Sequence, residues 1–368
     1  MTKERKFQIE QLLETPQALL HKEQISAQVS GKTILVTGAA GSIGSEIVKQ
    51  LLVYVPKAIL LLDVAEMPLH KLYLKLEGIS NETQLIPCLG DIKDEPFMLH
   101  LFKIYQPEIV YHVAAHKHVP LLEGFPYQAI QNNVLGTKIV ADLAISNRVQ
   151  AFVFISTDKA VNPTSIMGAS KRIAEQYIQS VNKENATKFI ITRFGNVFGS
   201  SGSVGPIFEK QIKMGGSVTI THPDMERYFM TLTQACELVL ESGTMGKGGE
   251  IFMFDMGKPV RILDLAYQMI ISANLIPEKD ISIEWIGLRP GEKLQEDLIA
   301  AHEILKTSNH PQIKQVASLL NQDHIENTTR INAFLKVLPS LSEAEILREI
   351  KKLVPEFRSN NPAFVDLD

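Results

Sequence analysis

Six short apolar runs recur along the first half of the chain: Thr33–Thr37, Ala58–Leu62, Leu85–Pro87, Ile109–His112, Ala151–Ile155 and Phe189–Thr192. Helix-length stretches separate most of them. No other feature constrains the fold as strongly. Near-continuous apolar strands fit burial on both faces. Strands alternating with helices imply a parallel sheet covered by helices on either side. The expected class is therefore α/β, a doubly wound parallel sheet.

After Asn196 the alternation loosens, and Gly and Ser cluster at 199–205, 215–216 and 246–249. These read as loops feeding a smaller substrate lobe over 199–300. Within it, 251–272 is expected to return to the first domain, with Ile251–Asp255 as a strand and Leu263–Ile271 as a helix. Residues 1–30 read as a helical leader with apolar positions at Ile9, Leu12, Leu13, Leu19 and Leu20. Residues 31–198 form the nucleotide-binding domain, and 301–368 a C-terminal helical segment. Within that segment Ser342-x-x-Glu345 is a capping box.

Composition narrows the function. A net charge of −4 offers no basic field for nucleic acid or an anionic membrane. The two cysteines, Cys88 and Cys236, sit in apolar stretches, as buried thiols of a reducing compartment do. No run approaches the ~18 apolar residues that span a bilayer. The charged start Met-Thr-Lys-Glu-Arg-Lys has no apolar h-region. The expectation is a cytoplasmic chain without membrane insertion, or the cytoplasmic-face part of a longer membrane-anchored protein.

Gly38-x-x-Gly41-x-x-Gly44 follows the first run and opens a helix, with Ser42 and Ile43 at the helix start. In that context small residues let the backbone approach a pyrophosphate at a helix N-terminus, the Rossmann-like arrangement. Asp63, ending the second run, suits an adenosine ribose. No basic residue follows it immediately, which favours NAD over NADP. Asp91 and Ile92 are placed to meet the adenine. Ala114 and Ala115 let a cofactor pass close to the backbone, and Lys117 can reach a substrate phosphate or hydroxyl. His112, His116 and His118 lack an acidic partner in register, so no metal site is expected.

Several longer motifs stand together: Thr37-Gly-Ala-Ala-Gly-Ser-Ile-Gly44, His112-Val-Ala-Ala-His-Lys-His-Val-Pro-Leu-Leu-Glu123, Asn133-Val-Leu-Gly-Thr137 and Ser156-Thr-Asp-Lys-Ala160. They continue with Met167-Gly-Ala-Ser-Lys171, Arg193-Phe-Gly-Asn-Val-Phe-Gly-Ser200, Arg227-Tyr-Phe-Met230 and Leu288-Arg-Pro-Gly-Glu-Lys293. Jointly they resemble the extended short-chain dehydrogenase/reductases, and most closely their capsule-type nucleotide-sugar 4,6-dehydratases of bacterial polysaccharide biosynthesis. Met167 stands where the general pattern Tyr-x-x-x-Lys has tyrosine, a feature of one branch of these dehydratases.

The resemblance implies an internally redox-neutral reaction on UDP-N-acetylglucosamine. Hydride leaves C4 for NAD⁺, water is lost across C5–C6, and the hydride returns to C6. On this reading a protonated Asp158 serves the departing C6 oxygen and a neutral Lys159 takes the C5 proton. Lys171 holds the nicotinamide ribose, Thr157 bonds the C4 oxygen, and Met167 lines the sugar pocket. The C4 hydroxyl proton then passes to Asp158 or a water. Asn133 positions the site, Asn196, Arg227 and Arg289 serve the diphosphate, and Glu292 the nucleoside ribose. A homodimer or higher assembly is expected, paired through helices around Gln128–Ser146 and Ser165–Val181. The competing readings are a C5-inverting dehydratase, a 4-epimerase and a silent nucleotide-sugar-binding module. The pair Asp158-Lys159 argues against an epimerase, which needs neither a C6 acid nor a C5 base.

Overall fold

The computed structural model describes residues 18–79, 82–182, 187–319 and 324–367. Six strands coincide with the six apolar runs to within a residue or two. They are β1 (Thr33–Thr37), β2 (Ala58–Asp63), β3 (Gln84–Leu89), β4 (Ile109–His112), β5 (Ala151–Ile155) and β6 (Lys188–Arg193). Shorter strands follow: β7 (Asn196–Val197), β8 (Val218–Ile220), β9 (Glu226–Arg227) and β10 (Phe229–Met230). Then come β11 (Ile251–Phe254), β12 (Val260–Arg261), β13 (Ile283–Trp285), β14 (Glu303–Thr307) and β15 (Ile313–Ser318).

One nine-stranded sheet runs β14-β15-β11-β6-β5-β4-β1-β2-β3. It is parallel from β3 to β11 and antiparallel at β15 and β14. Successive side chains alternate between two cores, as strand geometry requires. Leu35, Leu60, Phe152, Phe154 and Ile191 face one. Ile34, Val36, Ile59, Leu61 and Val153 face the other. The doubly wound sheet is the expected one. Its chain order reverses between β1 and β4, where ligands of such sheets bind.

Three departures from the sequence reading concern organisation. Residues 303–318 are a hairpin on the sheet edge, so 301–368 is not helical throughout. β11 does rejoin the sheet, but helix Ile262–Ser272 packs with Phe208, Val218 and Phe229 in a separate third core, and so belongs to the smaller lobe. Helix Ile166–Val181 is buried along twelve of its sixteen residues. Helices His324–Val337 and Glu343–Leu353 cover it, adding Phe334, Leu335, Ile346 and Ile350 to the same core. The chain itself thus occupies the outward face at 165–181 that was expected to pair with a second copy.

Of the leader, helix Lys22–Val29 is described, with Ile25 and Val29 buried; Ile9, Leu12 and Leu13 lie outside the described residues. His21 anchors this helix, its Nδ1 lying 2.6 Å from Glu241 Oε1. The capping box at Ser342 and Glu345 forms as expected. Cys88 and Cys236 are buried free thiols. Among the described residues no helix is long and apolar enough to cross a membrane.

Candidate active site

A cavity of about 900 Å³ opens at the carboxyl ends of β1, β4 and β5 and extends under the smaller lobe. Gly38, Gly41, Ser42, Ile43, Asp63, Asp91, Ile92, Ala114 and Ala115 line its nucleotide end. Gly38 has φ +65°, and a Cβ there would come within 2.8 Å of the Ala114 backbone. Gly44 does not line the cavity; a Cβ on it would sit 2.2 Å from the Gly38 carbonyl oxygen. Its smallness lets helix Ser42–Leu51 press against the turn. Gly44→Ala is therefore expected to destabilise the fold by about 1–3 kcal/mol, read as a lowered Tm.

Asp63 is fixed by two backbone donors, Ala40 N–H at 2.9 Å and Ala65 N–H at 2.9 Å. Its carboxylate thereby keeps one orientation at the cavity edge. Asp91 pairs with Lys93 at 3.1 Å. Across the mouth, Ser201 N–H donates to Ser42 Oγ at 3.0 Å, so the glycine-rich turn of 199–203 leans on the start of the glycine-motif helix.

Asn133, an expected site residue, and His112, which was not one, both lie behind the wall. Asn133 is fully buried in a π-helical turn (Gln131–Gly136). Its amide brackets the His116 backbone, accepting from N–H at 2.8 Å and donating to the carbonyl at 3.0 Å. It also donates to Ser170 Oγ at 2.9 Å, tying the Ala115–Lys117 loop to helix Ile166–Val181. His112 has both ring nitrogens engaged, with Thr37 Oγ1 at 2.8 Å and Thr137 Oγ1 at 2.9 Å. Burial, with help from Lys171, depresses its pKa to about 3.

Thr157, Lys159, Met167 and Lys171 line the floor of the cavity; Asp158 does not. Asp158 is wholly buried beneath them. Its Oδ1 accepts from Thr157 Oγ1 at 2.9 Å and Lys159 Nζ at 3.0 Å, while Oδ2 has no hydrogen-bond partner. Buried polar atoms are hydrogen-bonded in the great majority of cases, so an orphaned carboxylate oxygen beside a cavity stands out. Lys159 also donates to Asn196 Oδ1 at 3.0 Å and lies 3.6 Å from Glu296 Oε1.

This geometry corrects two expectations. Burial opposes the Lys159 charge, but Asp158 and Glu296 outweigh both burial and the repulsion of Arg227, so the pKa of Lys159 is raised. The amine is held charged, not neutral, because two carboxylates face it. Asp158 is walled off from the cavity, so it is not placed to meet a sugar hydroxyl. The lysine that tends toward neutrality is Lys171. Burial, only partly offset by Glu175, brings its pKa down to about 7. Its Nζ donates to the Ile155 carbonyl at 2.7 Å and sits 3.9 Å from the Phe154 ring centre.

At the far end, Lys117, Arg289 and Glu292 line the cavity with Arg227. Burial lowers the pKa of Lys117. The Glu292 carboxylate accepts from Arg289 N–H at 3.1 Å. Arg227 is more committed than a diphosphate clamp should be. Its guanidinium donates to the carbonyls of Glu226, Lys293 and Leu294 at 2.6–3.0 Å, fastening the motif loop to the lobe. Glu296, which sequence reasoning missed, joins this group; nothing local marks it, since its partners are distant in sequence.

A charged network lies behind the floor. Arg193 is completely buried and meets Glu175 at 2.6 Å and Glu303 at 3.0 Å. Arg172 adds to Glu175 at 3.2 Å, and Ser156 Oγ donates to Glu175 at 2.6 Å. The residue ahead of Thr157 is thus locked to helix Ile166–Val181 and to β14.

The comparisons with known proteins agree with this architecture. The chain is 49% identical over 310 residues to the capsular polysaccharide biosynthesis protein CapD of Staphylococcus aureus, covering 84% of this chain and 51% of that one. It is 47% identical over 310 residues to the probable polysaccharide biosynthesis protein EpsC of Bacillus subtilis (strain 168), covering 84% and 52%. It spans about half the length of these curated relatives. Among solved structures, Pen from Bacillus thuringiensis superposes with a TM-score of 0.72 at 33% identity, covering 80% of this chain and 89% of that one. A family described as polysaccharide biosynthesis protein matches residues 34–318, which takes in every wall of the cavity, and the chain belongs to that family.

Proposed function

We propose that the protein is a nucleotide-sugar 4,6-dehydratase acting on UDP-N-acetylglucosamine with NAD. The observation that carries this reading is Lys159, braced by two carboxylates on the floor of the cavity that the glycine turn opens. The nucleotide end fits a dinucleotide: the turn leaves no room for a Cβ at Gly38, and Asp63 is pinned to face a ribose. When bound, the nicotinamide supplies a hydride acceptor for C4 and a hydride donor for C6.

The chain's own residues handle the protons. Met167 has no proton to exchange. Lys171, poised near neutrality, takes the C4 hydroxyl proton. The Lys159 ammonium protonates the departing C6 oxygen, and the freed amine takes the C5 proton. Lys159 later returns that proton to C5 and is recharged with the one released from C4. Protons balance, and one water leaves. Asp158 acts through Lys159. Lys117 and Arg289, the cations at the rim, hold the diphosphate, Asn196 orients Lys159 beside it, and Glu292 faces the nucleoside ribose.

Incubation with UDP-N-acetylglucosamine and NAD in D₂O tests the reading. The expected result is a 4-keto-6-deoxy product carrying deuterium at C5, whose coupling constants report retention or inversion. A C4 epimer that keeps its C6 oxygen would make the protein an epimerase, and unchanged sugar would favour a silent binding module.

A further inference from the structure

Glu296 comes from the wall opposite Lys159, beyond the 289–293 turn, and is nearly inaccessible to solvent. Its Oε1 stands 3.6 Å from Lys159 Nζ and 3.7 Å from Arg227 Nε, both just beyond direct hydrogen-bond length. A second, separate cavity of about 110 Å³ touches Lys159, Arg227, Lys293 and Glu296. That volume is ample for at least one water, which needs roughly 10–15 Å³ of such space. The gap between Glu296 and Lys159 can therefore be bridged or closed without rebuilding the wall.

The charges facing Lys159 are few. Asp158 comes from its own turn, Glu296 from the motif loop and Arg227 from β9. The neighbouring cations look elsewhere: Lys171 donates to the Ile155 carbonyl, and Lys293 donates to the Val161 carbonyl and pairs with Asp297. Two cations and two carboxylates thus form a balanced quartet. Asp158 alone cannot balance both Lys159 and Arg227. Without Glu296 the quartet would carry a net positive charge in a site of low dielectric, where the lysine is the member able to shed a proton.

We propose that Glu296 is a positioning residue that keeps the Lys159 ammonium loaded with its proton and fixes it against the motif loop. The proposal rests on the dehydratase reading above for its meaning, but not for its test.

The test uses the full chain and Glu296→Gln, with Glu296→Asp as the charge-keeping control. The first readout needs no substrate: the pH dependence of Lys159 acylation by acetic anhydride, followed by peptide mass spectrometry. Loss of the carboxylate is expected to move the reaction midpoint lower by about one pH unit or more. Glu296→Asp should stay near wild type. The second readout is the pH profile of 4-keto sugar formation. Its alkaline limb should move in the same direction in Glu296→Gln, with KM for UDP-N-acetylglucosamine changed less than about threefold. An unmoved midpoint in a folded Glu296→Gln protein overturns the proposal, as does an equal shift in Glu296→Asp. Where Glu296→Gln does not fold, Glu296→Ser removes the charge and leaves room for water. If wild type makes no 4-keto sugar, the dehydratase reading fails while the acylation result still judges Glu296.

Discussion

Replacing Lys159 with glutamine is expected to lower kcat for 4-keto sugar formation by about 10²–10⁴-fold, the range of a positioned acid or base. KM should change little, because the rim cations Lys117 and Arg289, proposed to hold the diphosphate, are untouched. The amide keeps a hydrogen-bond donor for Asp158 and Asn196, so the floor holds its shape while losing its transferable proton. Asp158→Asn is expected to fall to a similar level by another route. Asp158 is sealed from the cavity and reaches it through the Lys159 ammonium and the Thr157 hydroxyl that donate to its Oδ1. The double variant should therefore be no slower than the worse single one, as residues acting as one unit behave. Full turnover by either variant, or multiplied losses in the double, would refute the assignment.

Arg193→Met is expected to produce the largest loss of stability, about 3–5 kcal/mol, because it leaves the buried Glu175 and Glu303 with Arg172 as their one remaining shared cation. Calorimetry should show Tm falling by about 4–6 °C. The same network sets an acid limit. Burial alone would raise the pKa values of both glutamates, but Arg193 and Arg172 outweigh it and hold them below the ordinary range. Groups with depressed folded pKa values stabilise fully above the unfolded value, about 4.3, and lose that contribution as the pH falls below it. Wild type should thus lose stability steeply below about pH 4.5, and Arg193→Met much less so. Parallel acid profiles for the two proteins would contradict this.

The parallel sheet was legible because each central strand is buried on both faces, and burial writes itself as an unbroken apolar run. β14 and β15 were not legible for the opposite reason. They lie at an edge, and Glu303-Ile-Leu-Lys-Thr307 mixes exposed positions with a glutamate that is buried only because Arg193 waits for it. The site divided in the same way. Gly38, Asp63, Lys159 and Lys171 follow strand ends or a helix turn, so their placement was readable from local pattern. The protonation of Lys159 was not, because Glu296 approaches from a segment far along the chain. Asp158 looked accessible beside Thr157 and Lys159, yet the turn that displays its neighbours points its carboxylate into the interior. The pairing face at 165–181 was misjudged for a similar reason: the residues covering it come after the motifs that name the helix.

That covering also sets a timetable. The helix bearing Lys171 is made early, but the cover of its apolar flank and the second carboxylate partner of Arg193 wait for residues 303–353. At about 5–20 residues per second of synthesis, the interval is roughly 10–30 s. During it a nascent chain has made helix Ile166–Val181 and the Arg193–Glu175 pair but not the segments that cover the helix or add Glu303 to the pair. A chain truncated before residue 303 is therefore expected to leave that apolar flank uncovered, read as increased binding of a hydrophobic dye.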